Sequence, residues 1–219
     1  MITADFLVFL RDLSQNNNRD WFEKNKSRFE KSVKEPFSEL VTALITSFET
    51  IDPEIRVDTK DTLFRIYKDV RFSKDKSPYK THMGAVISRY GRKEHTYPGY
   101  YVHAEFGNFM FGGGAYSLEK EPLEKVRNKI LREPDRFTAI IHNPDFVQHF
   151  GGIKGDKNKK LSAEFAAMQG TIPEIANKQF YFMAEMEPET ILRTDLVPML
   201  TKMAATAMPL NTFLKEALA

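Results

Sequence analysis

The titratable residues best placed to do chemistry lie on two neighbouring segments. His103 and Glu105 are two positions apart in an alternating segment, so they share one face of a predicted strand. His82 follows a basic segment just upstream and can approach them. A carboxylate beside histidines on one face is typical of a general acid–base group. We therefore predict His82, His103 and Glu105 as candidate catalytic residues.

The same three side chains can also be drawn as a metal site, because imidazole and carboxylate groups both bind divalent metals. Five histidines in 219 residues often give such a triplet by chance, so we assign no metal and leave any cofactor unknown. The chain contains no cysteine. This excludes thiol nucleophiles, thiolate zinc sites and iron–sulfur clusters. The sequence also has no Gly-x-Ser-x-Gly or His-Glu-x-x-His motif.

Positive charge is concentrated in one part of the chain. Residues 65–93 contain nine basic and two acidic residues, a net charge of +7, although 32 basic and 30 acidic residues give the whole chain only +2. Such a local field attracts anions, and arginine, lysine and tyrosine donate hydrogen bonds to phosphate or carboxylate. We predict a small phosphate- or carboxylate-bearing ligand. The candidate ligand-binding residues are Arg65, Arg71, Lys74, Lys76, Tyr79, Lys80, Tyr101 and Gly113.

Gly113 belongs to a run of three glycines, residues 112–114, that follows the alternating segment. Consecutive glycines allow a ligand to approach the backbone closely. A hairpin turn or a bulge also explains such a run. The spacing matches neither a phosphate-binding Walker loop nor a dinucleotide-binding fingerprint.

Two alternatives to the small-ligand hypothesis stay open. Basic residues interleaved with Tyr67, Phe72 and Tyr79 are also typical of a nucleic-acid-binding module, because cations pair with phosphates and bases stack on aromatic rings. The other alternative is a non-catalytic scaffold, in which the basic segment is a solvated hairpin. The sequence leaves open whether the protein is an enzyme and what its oligomeric state is.

Hydrophobic periodicity predicts the elements that position these residues. Apolar residues at three- and four-residue spacing predict helices, and short alternating runs predict strands. The predicted segments are helical 1–52, strand-rich 60–114, helical 118–150, a strand at 179–185 and helical 189–218. Within the strand-rich segment the candidate strands are 63–68, 83–89, 99–106 and 108–112. Pro209 divides the last helical segment into two apolar stripes.

These segments predict an α+β fold in a single domain, residues 1–219. We expect a largely antiparallel central sheet, with strands in 63–112 plus 179–185, packed by the amino- and carboxy-terminal helices. The longest stretch without charge, residues 106–118, is too short to cross a membrane, and the first ten residues lack the basic region of a secretory signal. We therefore expect no membrane partner and a cytoplasmic location.

Three motifs carry a resemblance to a known family. They read NNNRDWFE at 16–23, FRIYKDVRFSKDKSPYKTH at 64–82 and PGYYVH at 98–103. The chain resembles the conserved hypothetical protein family named domain of unknown function 2461, except that Lys68 stands where the family more often has arginine. The resemblance implies a compact α+β domain in a soluble cytoplasmic protein. It implies no activity, substrate or catalytic residue.

Overall fold

A four-stranded antiparallel sheet is the centre of the fold. The computed structural model describes residues 2–71, 73–94 and 96–219. Four strands lie side by side in chain order: β1 (His82–Ile87), β2 (Gly99–Glu105), β3 (Asn108–Ala115) and β4 (Phe180–Met186). The α+β fold and the antiparallel pairing predicted from the sequence are confirmed. The strand predicted at 179–185 joins this sheet beside β3.

Helices precede and follow the sheet in the chain, and several lie between β3 and β4. The α-helices are α1 (Ala4–Gln15), α2 (Arg19–Phe29), α3 (Glu35–Glu49), α4 (Thr59–Thr62), α5 (Lys120–Arg132), α6 (Pro134–Ile141), α7 (Pro144–Phe150), α8 (Ala163–Met168) and α9 (Leu196–Leu218). A π-helical turn, Glu30–Lys34, connects α2 directly to α3. Short 3₁₀ turns lie at Gly91–Lys93, Pro173–Ala176 and Pro188–Leu192. No helix of the described residues combines the length and apolar character needed to span a bilayer.

The strand register separates two faces of the sheet. Directly opposite residues point to the same side, as Val86, Tyr101, Gly112 and Met183 do across the four strands. One face is packed against the helices. We call the other the open face, and its residues are His82, Gly84, Val86, Gly99, Tyr101, His103, Glu105, Asn108, Met110, Gly112, Gly114, Tyr181, Met183 and Glu185.

The inner face of the sheet is fixed by α3 and α9. The ring of Phe48 in α3 lies 4.9 Å from the ring of Tyr100 in β2. The Tyr100 hydroxyl donates to the carbonyl of Ala204 at 3.2 Å, and Asn211 Nδ2 donates to the carbonyl of Gly99 at 3.2 Å. All of these residues are buried. Strand β2 therefore has a fixed position, and the side chains on its other face point away from the core.

Two elements differ from the sequence expectation. Residues 63–68 form isolated bridges, Leu63 with Ala85 and Tyr67 with Tyr79, where the pattern predicts a strand. The backbone hydrogen bonds that join residues 63–68 to residues 78–85 are separated along the chain, so they do not form a continuous strand pairing.

The second difference is at Pro209, which lies inside the single helix α9. A proline lacks the backbone N–H of a helical bond, yet this helix continues because buried residues on both sides of Pro209, such as Ala207 and Leu210, pack in the core.

Candidate functional site

The open face brings together the three residues predicted as an acid–base group. Strand alternation places His103 and Glu105 on the same side of β2, and the β1–β2 register places His82 opposite Glu105. Gly84 lies opposite His103. A side chain at Gly84 would crowd the Tyr101 hydroxyl, so the glycine leaves room for that group beside His103.

The polar atoms of this cluster lie within a few ångströms of one another. The rings of His82 and His103 stack with their centroids 4.4 Å apart and their planes inclined by 27°. His103 Nε2 lies 3.7 Å from Glu105 Oε2. The Tyr101 hydroxyl and His103 Nδ1 form a 2.9 Å hydrogen bond, in which either atom can be the donor. We call His82, His103 and Glu105, together with Tyr101, the histidine cluster.

Burial controls the protonation of the cluster. His103 is 7% exposed, and desolvation lowers its pKa to about 4. Desolvation also lowers the pKa of His82 to about 4, aided by the neighbouring His103 and Lys80. Burial, with the carboxylate of Glu105, raises the pKa of Tyr101 to about 12. At neutral pH both imidazoles are therefore uncharged and the Tyr101 hydroxyl keeps its proton.

One atom of the cluster has no partner. His103 Nε2 is buried and makes no hydrogen bond within the part of the chain that the structure describes. Buried polar atoms in folded proteins are nearly always paired. His82, His103 and Glu105 each offer a metal-ligand atom, and these three atoms all lie within 4.8 Å of one another. The three residues have the chemistry to hold a metal ion or to exchange protons.

A cavity of about 540 Å³ adjoins the cluster on the open face. Tyr101 belongs to both, since its side chain lines the cavity and its hydroxyl contacts His103. Half of the lining residues are aromatic or methionine, and Glu94, Glu185 and Lys154 supply charge. Gly113, one of the predicted ligand-binding residues, also lines it. The cavity thus joins an apolar surface to the polar atoms of Tyr101 and its neighbours.

The glycine run lies inside strand β3, and no turn occurs there. A Cβ atom at Gly112 would overlap the backbone carbonyl of Phe182, and one at Gly113 would overlap that of Gly99. Gly114 has a φ of +97°, a conformation that other residues rarely adopt. The run therefore lets β3 lie tightly between its neighbours, and it removes side chains from one wall of the cavity.

Lys80 is the predicted ligand-binding cation that lies nearest the cluster. Its ammonium group stands 5.1 Å from the centre of the Phe64 ring, and Phe64 lines the cavity. Partial burial lowers the pKa of Lys80, and the charge of Arg65 lowers it further. Within the described ranges, Lys80 forms no ion pair. A half-buried cation of this kind attracts an anionic group.

In the rest of the basic loop, residues 65–80, several basic side chains bond to groups of the loop itself. Arg71 binds Asp69 through two side-chain hydrogen bonds, and Lys68 pairs with Asp75. Lys76 donates to the backbone carbonyl of Val70 at 2.9 Å. Arg65 and Lys74 are exposed, as is Arg71. The role of Arg65, Arg71, Lys74 and Lys76 in anion binding stays a prediction.

Tyr79 occupies the core side of the basic loop. It is 3% exposed, and its ring stacks on Phe22 with the centroids 4.0 Å apart. Its backbone N–H and carbonyl both bind the side-chain amide of Asn17, at 3.1 Å and 2.9 Å. A ligand contact by the Tyr79 ring stays a prediction, which this burial does not favour.

Of the aromatic residues expected to stack on nucleic-acid bases, the two that the structure describes are not exposed together. Tyr67 is 49% exposed, whereas Tyr79 is buried. Phe72 lies outside the described residues. The arrangement of Tyr67 and Tyr79 therefore offers one exposed ring, where stacking on successive bases needs several.

Comparison with known proteins identifies the family. The family model of a conserved hypothetical protein, DUF2461, matches residues 5–213. The chain belongs to the DUF2461 family. This confirms the resemblance carried by the three motifs. No curated protein and no solved structure matches the chain.

Several residues of the site in this DUF2461 chain were not predicted as functional. Tyr181, Met183 and Glu185 alternate along β4 and contribute one wall of the cavity. Their two-residue spacing in a predicted strand was a usable signal, but the sequence did not reveal which strand they would pair with. Phe64 and Lys154 reach the cavity from segments outside the four strands, and no local pattern marks them.

Proposed function

We propose that the protein binds a small ligand with a ring and an anionic group in the cavity on the open face. The observation that carries this proposal is the position of Tyr101, whose side chain lines the cavity while its hydroxyl contacts the buried His103. A volume of about 540 Å³ is in the range of pockets that bind small molecules.

The aromatic residues in the cavity wall are the reason for assigning a ring to the ligand. Tyr97, Tyr101 and Tyr181 line the cavity, and each offers a flat apolar surface with a polar tip. The exposed Tyr116 packs edge-on against Tyr181 at the same wall, with the ring centroids 5.2 Å apart. Such surfaces favour a planar or ring-containing ligand because aromatic contacts add to the burial of apolar area.

Two lysines near the cavity are the reason for assigning an anionic group to the ligand. Lys80 does not itself line the cavity, but its ammonium group lies 5.1 Å from the centre of the Phe64 ring and forms no ion pair among the described residues, so a phosphate or carboxylate beside Phe64 would gain a partner. Lys154 lines the cavity, but it lies 3.7 Å from Glu185, which offsets part of its charge. We therefore assign the anionic group to the side of the cavity near Lys80.

The Tyr101 hydroxyl gives the cavity a directed polar group. Its hydrogen bond with His103 Nδ1 fixes its orientation, and a phenol oxygen has the capacity for a further hydrogen bond to a ligand. His103 therefore acts on the ligand through Tyr101, as a positioning residue.

The proposal is tested by nuclear magnetic resonance titration with four compounds. Phenyl phosphate and benzoate carry both a ring and an anion, whereas inorganic phosphate and phenol each carry only one of them. We expect phenyl phosphate or benzoate to bind at least tenfold more tightly than either half-compound and to shift the amide signals of Tyr101 and Gly113. The stronger of the two identifies the preferred anion.

Two variants and a matched control locate the anion. Lys80→Gln should weaken phenyl phosphate binding about tenfold, because a charge-assisted hydrogen bond is lost. Tyr101→Phe keeps the ring and should weaken binding about fivefold through the lost hydroxyl. Lys24→Gln removes an exposed charge from α2, away from the cavity lining, and should leave the affinity unchanged. Equal loss in Lys24→Gln and Lys80→Gln, or no advantage of the combined compounds, would contradict the proposal.

Nucleic-acid binding and a cytoplasmic location stay predictions. A salt-dependent affinity for single-stranded RNA, lost in Arg71→Gln and kept in Tyr101→Phe, would favour the nucleic-acid alternative over the cavity.

A further inference from the structure

We propose that His82, His103 and Glu105 bind one divalent transition-metal ion on the open face. Two imidazoles and one carboxylate form a donor set that is used for zinc and for non-haem iron. The set lies on two adjacent strands, so both histidines and the carboxylate are supported by backbone hydrogen bonds of the sheet. The proposal goes beyond ligand binding in the cavity and does not depend on it.

The unpartnered nitrogen of His103 points to this ligand. His103 is more than nine-tenths buried, and its Nε2 faces Glu105 without a hydrogen-bond partner in the described ranges. A metal ion bound at Nε2 would satisfy the atom and would bring the carboxylate into the same coordination sphere. No protein group of the described residues offers this nitrogen an equivalent contact.

The distances are compatible with coordination after small side-chain rotations. His103 Nε2 and Glu105 Oε2 are 3.7 Å apart, and the three candidate ligand atoms lie within 4.8 Å of one another. Ligands around a tetrahedral zinc ion are separated by about 3.3 Å. The Glu105 side chain is 37% exposed at the end of β2, so it can rotate towards His103, and the His82 ring, now stacked on His103, must also turn to direct a nitrogen at the same ion.

Tyr101 supplies the outer support that metal-binding histidines usually have. When Nε2 of a histidine binds a metal, its other ring nitrogen carries a hydrogen and donates it to a nearby acceptor. His103 Nδ1 lies 2.9 Å from the Tyr101 oxygen, which can accept that bond. The arrangement fixes the ring of His103 with Nε2 directed at Glu105.

Three protein ligands leave at least one coordination position for water or for a bound molecule, as in catalytic metal sites. The proposed ion and the cavity share Tyr101 as a neighbour, because Tyr101 lines the cavity and contacts His103 through Nδ1, the ring nitrogen that does not bind the ion. The proposal gives the three residues predicted as an acid–base group a different task. A metal ligand holds the ion, whereas an acid–base group exchanges protons with a substrate.

The test uses the full chain, stripped of metal with a chelator and titrated with Zn²⁺ by isothermal calorimetry. We expect one Zn²⁺ per chain, and we expect Co²⁺ to give the visible absorption of a low-symmetry site with nitrogen and oxygen ligands. His103→Gln and His82→Gln should each weaken Zn²⁺ binding at least 100-fold. Tyr101→Phe should weaken it about tenfold through loss of the outer hydrogen bond.

Two further variants keep the test informative. Glu105→Gln changes a partly exposed side chain, should keep the circular-dichroism spectrum of the native protein, and should weaken Zn²⁺ binding at least tenfold. His142→Gln removes an exposed histidine after α6 and should leave binding unchanged. The proposal is overturned if no stoichiometric Zn²⁺ binding occurs, or if Glu105→Gln and His103→Gln bind as tightly as His142→Gln.

The two proposals fail separately. Stoichiometric Zn²⁺ binding without affinity for phenyl phosphate or benzoate would overturn the cavity ligand and support the metal site. Binding of those compounds to the metal-free chain, without Zn²⁺ binding, would do the reverse.

Discussion

The basic loop and the open face hold their charged and polar groups in opposite ways. In the loop, Arg71 and Lys68 pair with aspartates within seven residues, and most of the groups are exposed. On the open face, His103 contacts Tyr101 through Nδ1, but its Nε2 is buried without a hydrogen-bond partner within the described ranges. The comparison teaches that a high density of charge in a sequence need not mark a site. A polar group that the fold buries without a partner is the stronger signal.

The largest expected effect is at Tyr79, where the basic loop contacts the core. Tyr79→Ala should lower the free energy of unfolding by about 3–5 kcal/mol, because it leaves a cavity beside Phe22. Tyr67→Ala, which removes a half-exposed ring of the same loop, is the control and should cost far less. Urea denaturation of both variants measures the difference. Equal effects would mean that the loop has no buried anchor and is exposed along its whole length.

A smaller effect tests the tight packing of the open face. Gly112→Ala should lower the free energy of unfolding by about 2–3 kcal/mol, because the new methyl group overlaps the Phe182 carbonyl and a neighbouring strand must move. Gly107→Ala, at the β2–β3 hairpin where nothing lies within 4 Å, is the matched control and should change little. Thermal and urea unfolding compare the pair. A tolerated Gly112→Ala variant would show that β3 can yield, and that the cavity wall is not rigid.

The smallest effect concerns the internal ion pairs of the basic loop. Arg71 holds the pKa of Asp69 at about 2, below its ordinary 3.8. A carboxylate with a lowered pKa stabilises the folded chain above pH 3.8 and loses that effect as the pH falls through about 2. Both groups are exposed, so we expect no measurable change in unfolding when the pair is removed.

The pair is still visible by titration. In Arg71→Gln the pKa of Asp69, followed at its carboxyl carbon by nuclear magnetic resonance, should rise from about 2 towards 3.8, because the side-chain bonds are lost while the backbone N–H of residue 71 still donates, and Asp75 beside Lys68 should stay near 2. An unchanged pKa of Asp69 in this variant would show that the Arg71 side chain does not pair with the Asp69 carboxylate.

The sequence predicted the fold class and the part of the site that depends on local periodicity. Alternation alone places His103 and Glu105 on one face of β2, and the structure confirms that placement. Interactions over two or three residues are determined by local geometry, so a sequence pattern can reveal them.

The remaining features depend on contacts between distant segments. The burial of Tyr79 requires Phe22, which is more than fifty residues away, so nothing in the basic loop itself predicts it. The wall formed by Met183 and Glu185 requires the pairing of β3 with β4 across a long helical insertion. Lys154 reaches the cavity from a loop without periodicity. Such contacts are set by tertiary packing and carry no signal in a short window.

The double hydrogen bond between Asn17 and the backbone of Tyr79 has a consequence for how the chain meets other molecules. The amide uses its donor and its acceptor in the way that a neighbouring strand would, so it fills one backbone pairing position just before β1, on the side opposite residues 66–68. A position occupied in this way cannot pair with a strand of another chain at that point, which limits aggregation. The same amide connects the motif at 16–23 to the motif at 64–82, so two segments that are distant in the sequence are in direct contact in the fold.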